Sequence, residues 1–141
     1  MKQKVMLSIR GRQHYNNQDP DVIELVTEGW MESVDGGYRI EYQESDLTGL
    51  KGVTTTFLVT SNQIELIRTG NLNSRMVFRL GMPHDSLYQM EFGALMITVT
   101  ATSLQFDLTP AGGFIDLVYN IEIEKSEAGT IDYHLDIRAM E

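Results

Sequence analysis

Apolar and polar residues alternate along most of this chain. "VMLSI" sets Val5, Leu7 and Ile9 on one face of an extended strand, "GYRIEYQE" does so with Tyr38, Ile40 and Tyr42, and "VTTTFLV" with Val53, Phe57 and Val59. "RMVFRL" separates Met76, Phe78 and Leu80 from Arg75, Val77 and Arg79. "LYQMEF" groups Tyr88, Met90 and Phe92, and "ALMITVTA" groups Leu95, Ile97, Val99 and Ala101. The last two runs are "FIDLVYNIEIE", with Ile115, Leu117, Tyr119, Ile121 and Ile123 in phase, and "TIDYHLDIR", with Ile131, Tyr133, Leu135 and Ile137. A two-residue period repeated this often predicts half-buried antiparallel strands.

Turn residues punctuate the runs: "DGG" at 35–37, "SN" at 61–62, "GNLN" at 70–73, "TS" at 102–103, "AGG" at 111–113 and "EAG" at 127–129. Short links join neighbouring strands as hairpins, and a series of hairpins is an up-and-down meander. Closing that meander into a barrel removes its exposed edges, and roughly eight to ten strands suffice. The expectation is one all-β domain over residues 1–141, with no repeat or composition break. One segment competes. "DPDVIELVTEGWMESVDGG" spaces Val22, Val26 and Trp30 as a helix face would, with Asp19 and Pro20 at its start. Its Val, Ile, Thr and Trp content and the mid-segment Gly29 favour a strand, with Ile23, Leu25, Thr27 and Met31 on one face and Glu24, Glu28 and Glu32 on the other.

Charge narrows the partners. Twenty acidic residues against 11 basic ones give a net charge of −9, which repels nucleic-acid backbones and anionic lipid heads. No run approaches the roughly 20 apolar residues of a membrane span, and the charged opening "MKQKVMLSIRGR" lacks the apolar core of a signal peptide. A cytoplasmic protein with no nucleic-acid or membrane partner is expected. The absence of cysteine excludes disulfides, a thiolate nucleophile and zinc–thiolate sites.

Enzyme constellations are missing. His14, His84 and His134 belong to no metal motif, and there is no phosphate loop or nucleophile elbow. "DYHLD" aligns Asp132, His134 and Asp136 on the polar side of a strand, where solvated charge is the simpler reading than a cation site. His84, in "GMPHDS", is expected in a loop. Neither a catalytic residue nor a cofactor or metal site is assigned. An enzyme would need a titratable group beside a pocket, for which His84 and Glu44 are the candidates.

The awkward residue is Arg68. In "QIELIRTGN" it shares a face with Ile64 and Leu66, so a guanidinium points inward with the apolar side chains. With Ser61 and Asn62 as a two-residue turn, Val59 faces Ile64, Phe57 faces Leu66 and Thr55 faces Arg68. A buried charge must find a partner or reach water. Three outcomes are open: the side chain reaches out at the rim, pairs with Glu44, or receives the acidic end of an apolar ligand through a forked hydrogen bond. Tyr42, Tyr88, Tyr119 and Tyr133 share the interior phase with Met76, Met90, Phe57, Phe78 and Phe92, and such residues either fill a barrel or line an adaptable cavity.

"YRIEYQES", then "RTG", "RMVF", "YQMEFGALMITVTATSLQ" and "GGFIDLVYNIEI" together resemble the bacterial YwiB-like family of uncharacterised proteins. The likeness is firmest at Tyr42-Gln43-Glu44, Arg68-Thr69-Gly70, Tyr88 to Gly93 and Gly113 to Tyr119. It implies a calycin-like, lipocalin-type barrel and, by analogy of fold, a small apolar ligand; it carries over no activity and no catalytic residue. The chain differs from secreted lipocalins in lacking cysteines and a leader, and its "QHYNNQDPD" link is short for the two-helix lid of fatty-acid carriers. The leading expectation is an interior site for a small, largely apolar, even acidic ligand, formed by Arg68, Glu44, Tyr42, Tyr88, Tyr119, Met76, Phe78, Met90 and Phe92. The alternative is a packed interaction module or homodimer using Val22, Val26 and Trp30.

Overall fold

Alternation becomes strand throughout the computed structural model, which describes residues 2–15, 19–46 and 50–140. Ten strands follow in order: β1 (Lys2–Tyr15), β2 (Asp21–Val34), β3 (Gly37–Gln43), β4 (Val53–Thr60), β5 (Gln63–Gly70), β6 (Leu72–Phe78), β7 (Pro83–Met90), β8 (Gly93–Thr109), β9 (Gly112–Ile123) and β10 (Ser126–Ala139). Each pairs antiparallel with its sequence neighbour, and β10 returns to β1, so the meander closes as a barrel. Closure leaves no open edge for another chain to extend. Leu7 opposite Ile137 and Ile9 opposite Leu135 seal the join with apolar pairs.

The ambiguous segment is a strand. Leu25 and Met31 turn inward and are buried, while Val22, Val26 and Trp30 lie exposed on the outer face between glutamates. The Lys4 ammonium sits 5.6 Å from the Trp30 ring centre and covers part of it. Gly29 is there for space: a Cβ would come within 2.6 Å of the Glu41 carbonyl and 2.8 Å of Leu7 Cδ1.

The turns at Asp35–Gly36 and Ser61–Asn62 form as expected, and the second sets the anticipated register of Thr55 opposite Arg68. Two other turn signals lie inside strands. "TS" at 102–103 and "EAG" at 127–129 are register shifts within β8 and β10, where one extra residue bends a long strand. The β9–β10 reversal falls instead at Glu124 and Lys125, both in the left-handed region with φ of 51° and 70°. Those positions usually take Gly or Asn, so the sequence carried no turn signal there.

One ladder is short. β6 and β7 pair at Leu72–Met90 and Asn73–Gln89 and then separate. Beyond the split, the Val77 amide donates to Nδ1 of His84 at 3.3 Å. His84 therefore sits half-buried on a strand, its ring standing in for a missing backbone acceptor, and is not the loop residue expected.

Inside, the barrel is layered. Tyr38, Val59, Ile64 and Phe78 form one cross-strand row over β3 to β6, and Ile40, Phe57, Leu66 and Met76 form the next. The row after that is polar: Tyr42, Thr55, Arg68 and Ser74. Together with Val5, Leu7, Met31, Val99, Ile115, Leu117 and Leu135, the apolar rows fill one half of the barrel solidly. Phe78, at 0 % exposure, belongs to this plug, with its ring centre 4.6 Å from that of Tyr119. Met90 closes β7 opposite Leu72 in the phase of Tyr88 but is 38 % exposed at the strand end, and Phe92 lies beyond the strand. Met90 pairs with Gly93, so Glu91 and Phe92 are the turn itself, and Phe92 is 92 % exposed.

This difference is measurable. Phe78→Ala empties a closed core position and is expected to cost about 3–5 kcal/mol. Phe92→Ser should change stability by no more than about 0.5 kcal/mol. Urea unfolding of the two variants would separate them, and equal losses would contradict the placement of Phe92 outside.

Candidate functional site

Above the polar row the barrel is hollow. A cavity of about 320 Å³ lies between that row and the end carrying the β1–β2, β3–β4, β5–β6, β7–β8 and β9–β10 connections. Its walls are largely aliphatic: Ile9, Ile23, Leu25, Leu95, Ile97, Ile121, Ile123 and Ile131. Tyr15, Gln13, Leu50 and Tyr88 also line it, as do Arg68, Glu44, Tyr42, Met76, Tyr119 and Tyr133. Gly11 opens part of this space. It lies opposite Tyr133, and a Cβ there would meet nothing within 4 Å.

Of the residues expected at an interior site, Arg68, Glu44, Tyr42, Tyr88, Tyr119 and Met76 therefore meet around one cavity. Phe78 lies beneath it in the solid core, and Met90 and Phe92 lie outside. Tyr15 and Gln13 continue the inward phase of Val5, Leu7 and Ile9, and extending that alternation past Gly11 would have found them. Ser74 is in phase with Met76 and Phe78, but a lone serine carries little pattern signal.

Arg68 does not reach out at the rim: it is 8 % exposed. Its Nη2 donates to the Tyr133 hydroxyl at 3.2 Å. Burial works against its charge, yet the oxygens of Tyr133, Tyr119, Tyr42 and Tyr88 outweigh burial and move its pKa upward. Glu44 is also buried, and its Oε2 accepts from Thr55 Oγ1 at 2.5 Å. The Tyr42 phenol shares a hydrogen bond with Glu44; burial, then Tyr133 and Glu44, hold that phenol protonated well above its ordinary range. Burial does the same for Tyr119, and Tyr133 adds to it. Two buried atoms on the polar row, Arg68 Nε and Ser74 Oγ, make no hydrogen bond.

The rings of Tyr133 and Tyr119 tie this row to the core. Tyr133 stands edge-on to Phe57 at 5.9 Å between centres, and Tyr119 packs on Phe78. The polar groups are thus held on a rigid aromatic floor, the deepest part of the cavity. Chemically, the arrangement offers a cation, a carboxyl group engaged by Thr55 and several hydroxyls below an apolar shaft.

The "DYHLD" face is a separate, outer feature. His134 is held between two carboxylates, Nδ1 to Asp116 Oδ1 at 2.5 Å and Nε2 to Asp136 Oδ2 at 3.0 Å. Both ring nitrogens are engaged, which leaves no lone pair for a cation. Among the described residues, no group of three or more His, Cys, Asp or Glu is placed to hold a metal ion. No helix among them is long and apolar enough to cross a membrane.

Two expectations follow. A double-mutant cycle with Arg68→Met and Tyr133→Phe should give a coupling of about 1 kcal/mol in unfolding free energy. Additive losses would mean that the bond contributes nothing. At His134 the hydrogen bond to Asp116 raises the pKa against burial, and Asp136 adds to the rise. A folded value above the unfolded one stabilises the protein fully at pH below the unfolded value, and that gain fades as pH rises through the folded value. The Tm difference between wild type and His134→Gln should accordingly be larger at about pH 5.5 than at about pH 8.5. The reverse order would show that the imidazole is not held as a cation.

Comparison with known proteins agrees with this architecture. Residues 7–137 match a family model described as a domain of unknown function, DUF1934. The uncharacterized β-barrel protein YwiB of Bacillus subtilis (strain 168) is 26 % identical over 125 residues, covering 87 % of this chain and 86 % of that protein. The crystal structure of the ywiB protein from Bacillus subtilis superposes with a TM-score of 0.82 at 21 % identity, over 96 % of this chain and 92 % of that one, a likeness of fold. The chain belongs to the DUF1934, YwiB-like family of β-barrel proteins, as the resemblance in its sequence implied.

Proposed function

We propose that this protein is a lipocalin-like binding barrel of the cytoplasm, holding a small, largely apolar molecule with an acidic end in its interior. The observation that carries this reading is the cavity of about 320 Å³, which falls in the usual size range of ligand sites and has aliphatic walls converging on a few polar groups. A barrel built only as a scaffold would bury more apolar surface by filling that space. Here the sequence leaves it open, with Gly11 where a larger side chain would fit. Arg68 supplies the polar contact, the tyrosines fix orientation, and the isoleucines and Met76 accept the apolar body. The cysteine-free sequence suits a reducing compartment.

Gly11→Phe tests this directly, because its ring would enter open space. Native mass spectrometry of the purified wild type should show a bound small molecule, or uptake of an apolar dye, that the variant lacks. Circular dichroism and thermal unfolding should report the same fold for both. Equal occupancy in wild type and a folded Gly11→Phe variant would place any binding outside the barrel.

A further inference from the structure

The hydrogen-bond inventory of the polar row narrows the occupant further. A guanidinium carries five N–H donors and no acceptor. Among the described residues, Arg68 directs one bond to Tyr133, and its Nε makes none. Ser74, directly across the ladder from Arg68, also holds a buried hydroxyl without a hydrogen bond. Thr55, on the other side of Arg68, donates to Glu44. The row is rich in donors around a buried charge, and what would complete it is an acceptor.

We infer that the occupant is an aliphatic monocarboxylate that enters head-first, its carboxylate seated at the cavity floor against Arg68 and its chain directed along the apolar shaft. The inference rests on the interior-binding reading and specifies its ligand class. A carboxylate matches a guanidinium in charge and in the spacing of its two oxygens. An ammonium would place two cations together, and a hydroxyl offers only one weak acceptor for several N–H groups. The shaft sets the upper limit on charge: a second carboxylate at the far end of the chain would lie among aliphatic side chains such as Ile23, Leu95 and Ile123, where a charge is costly. Size limits the chain. With about 30 Å³ for each water-sized group, the cavity accepts roughly ten to twelve non-hydrogen atoms, the length of a medium-chain acid.

Isothermal titration of the full chain with octanoate, 1-octanol, octylamine and octanedioate decides the matter at constant chain length. Octanoate should bind on the order of tenfold or more tighter than 1-octanol, as a charge-assisted hydrogen bond requires. Octylamine and octanedioate should both bind more weakly than octanoate. Arg68→Met should erase the difference between octanoate and octanol. Arg68→Lys, a gentler change that keeps the charge and loses the fork, should narrow it several-fold without changing octanol affinity. Equal binding of octanoate and octanol by the wild type would overturn the inference while leaving an interior site in place. Binding of none of the four would overturn it as well. The Gly11→Phe comparison separately reports whether the interior is used at all.

Discussion

A positive charge inside a closed sheet constrains everything around it. The guanidinium of Arg68 cannot be deprotonated at physiological pH, so the protein must supply oxygens or leave the charge poorly solvated. The response here is local and layered. Tyr133 accepts directly from Arg68, and the phenols of Tyr119, Tyr42 and Tyr88 lie close enough to favour the charge despite burial. The rings of Tyr133 and Tyr119 also pack on Phe57 and Phe78, which connects the electrostatic demand of one residue to the packing of the apolar plug.

The result is a barrel divided by function along its axis. One half is packed with aliphatic and aromatic side chains and stabilises the fold in the ordinary way. The other half is held open by the same walls, at the expense of contacts that a filled interior would have made. Local departures from good packing are characteristic of functional sites. The polar row across β3 to β6 marks the boundary between the two regimes.

Much of this was readable from the chain, because a strict two-residue period assigns both strand and face. Val59, Phe57 and Thr55 opposite Ile64, Leu66 and Arg68 followed from a single turn at Ser61–Asn62. The same rule failed where the backbone left the ideal path. Tyr88 predicts Phe92 only if the strand continues, and it stops at Met90, which keeps the phase but is exposed at the strand end. Thr102 and Ala128 are extra residues within long strands, and their small polar or glycine-flanked context resembles a turn in sequence. Phe78 illustrates a different limit: phase tells inside from outside, but not whether a position lies in the solid or the hollow half. That depends on registry across several strands, which no local window contains. Ser74 went unnoticed because its significance comes only from its neighbour across the ladder.

The short ladder between β6 and β7 gives the wall an uneven strength. Elsewhere neighbouring strands are laced over many rungs, but here two pairs are followed by a single imidazole holding the Val77 amide. Local opening begins where the fewest backbone bonds must break together. Solvent deuterium should therefore reach the amides of this seam well before those of the β1–β10 join, making it the place where the barrel breathes.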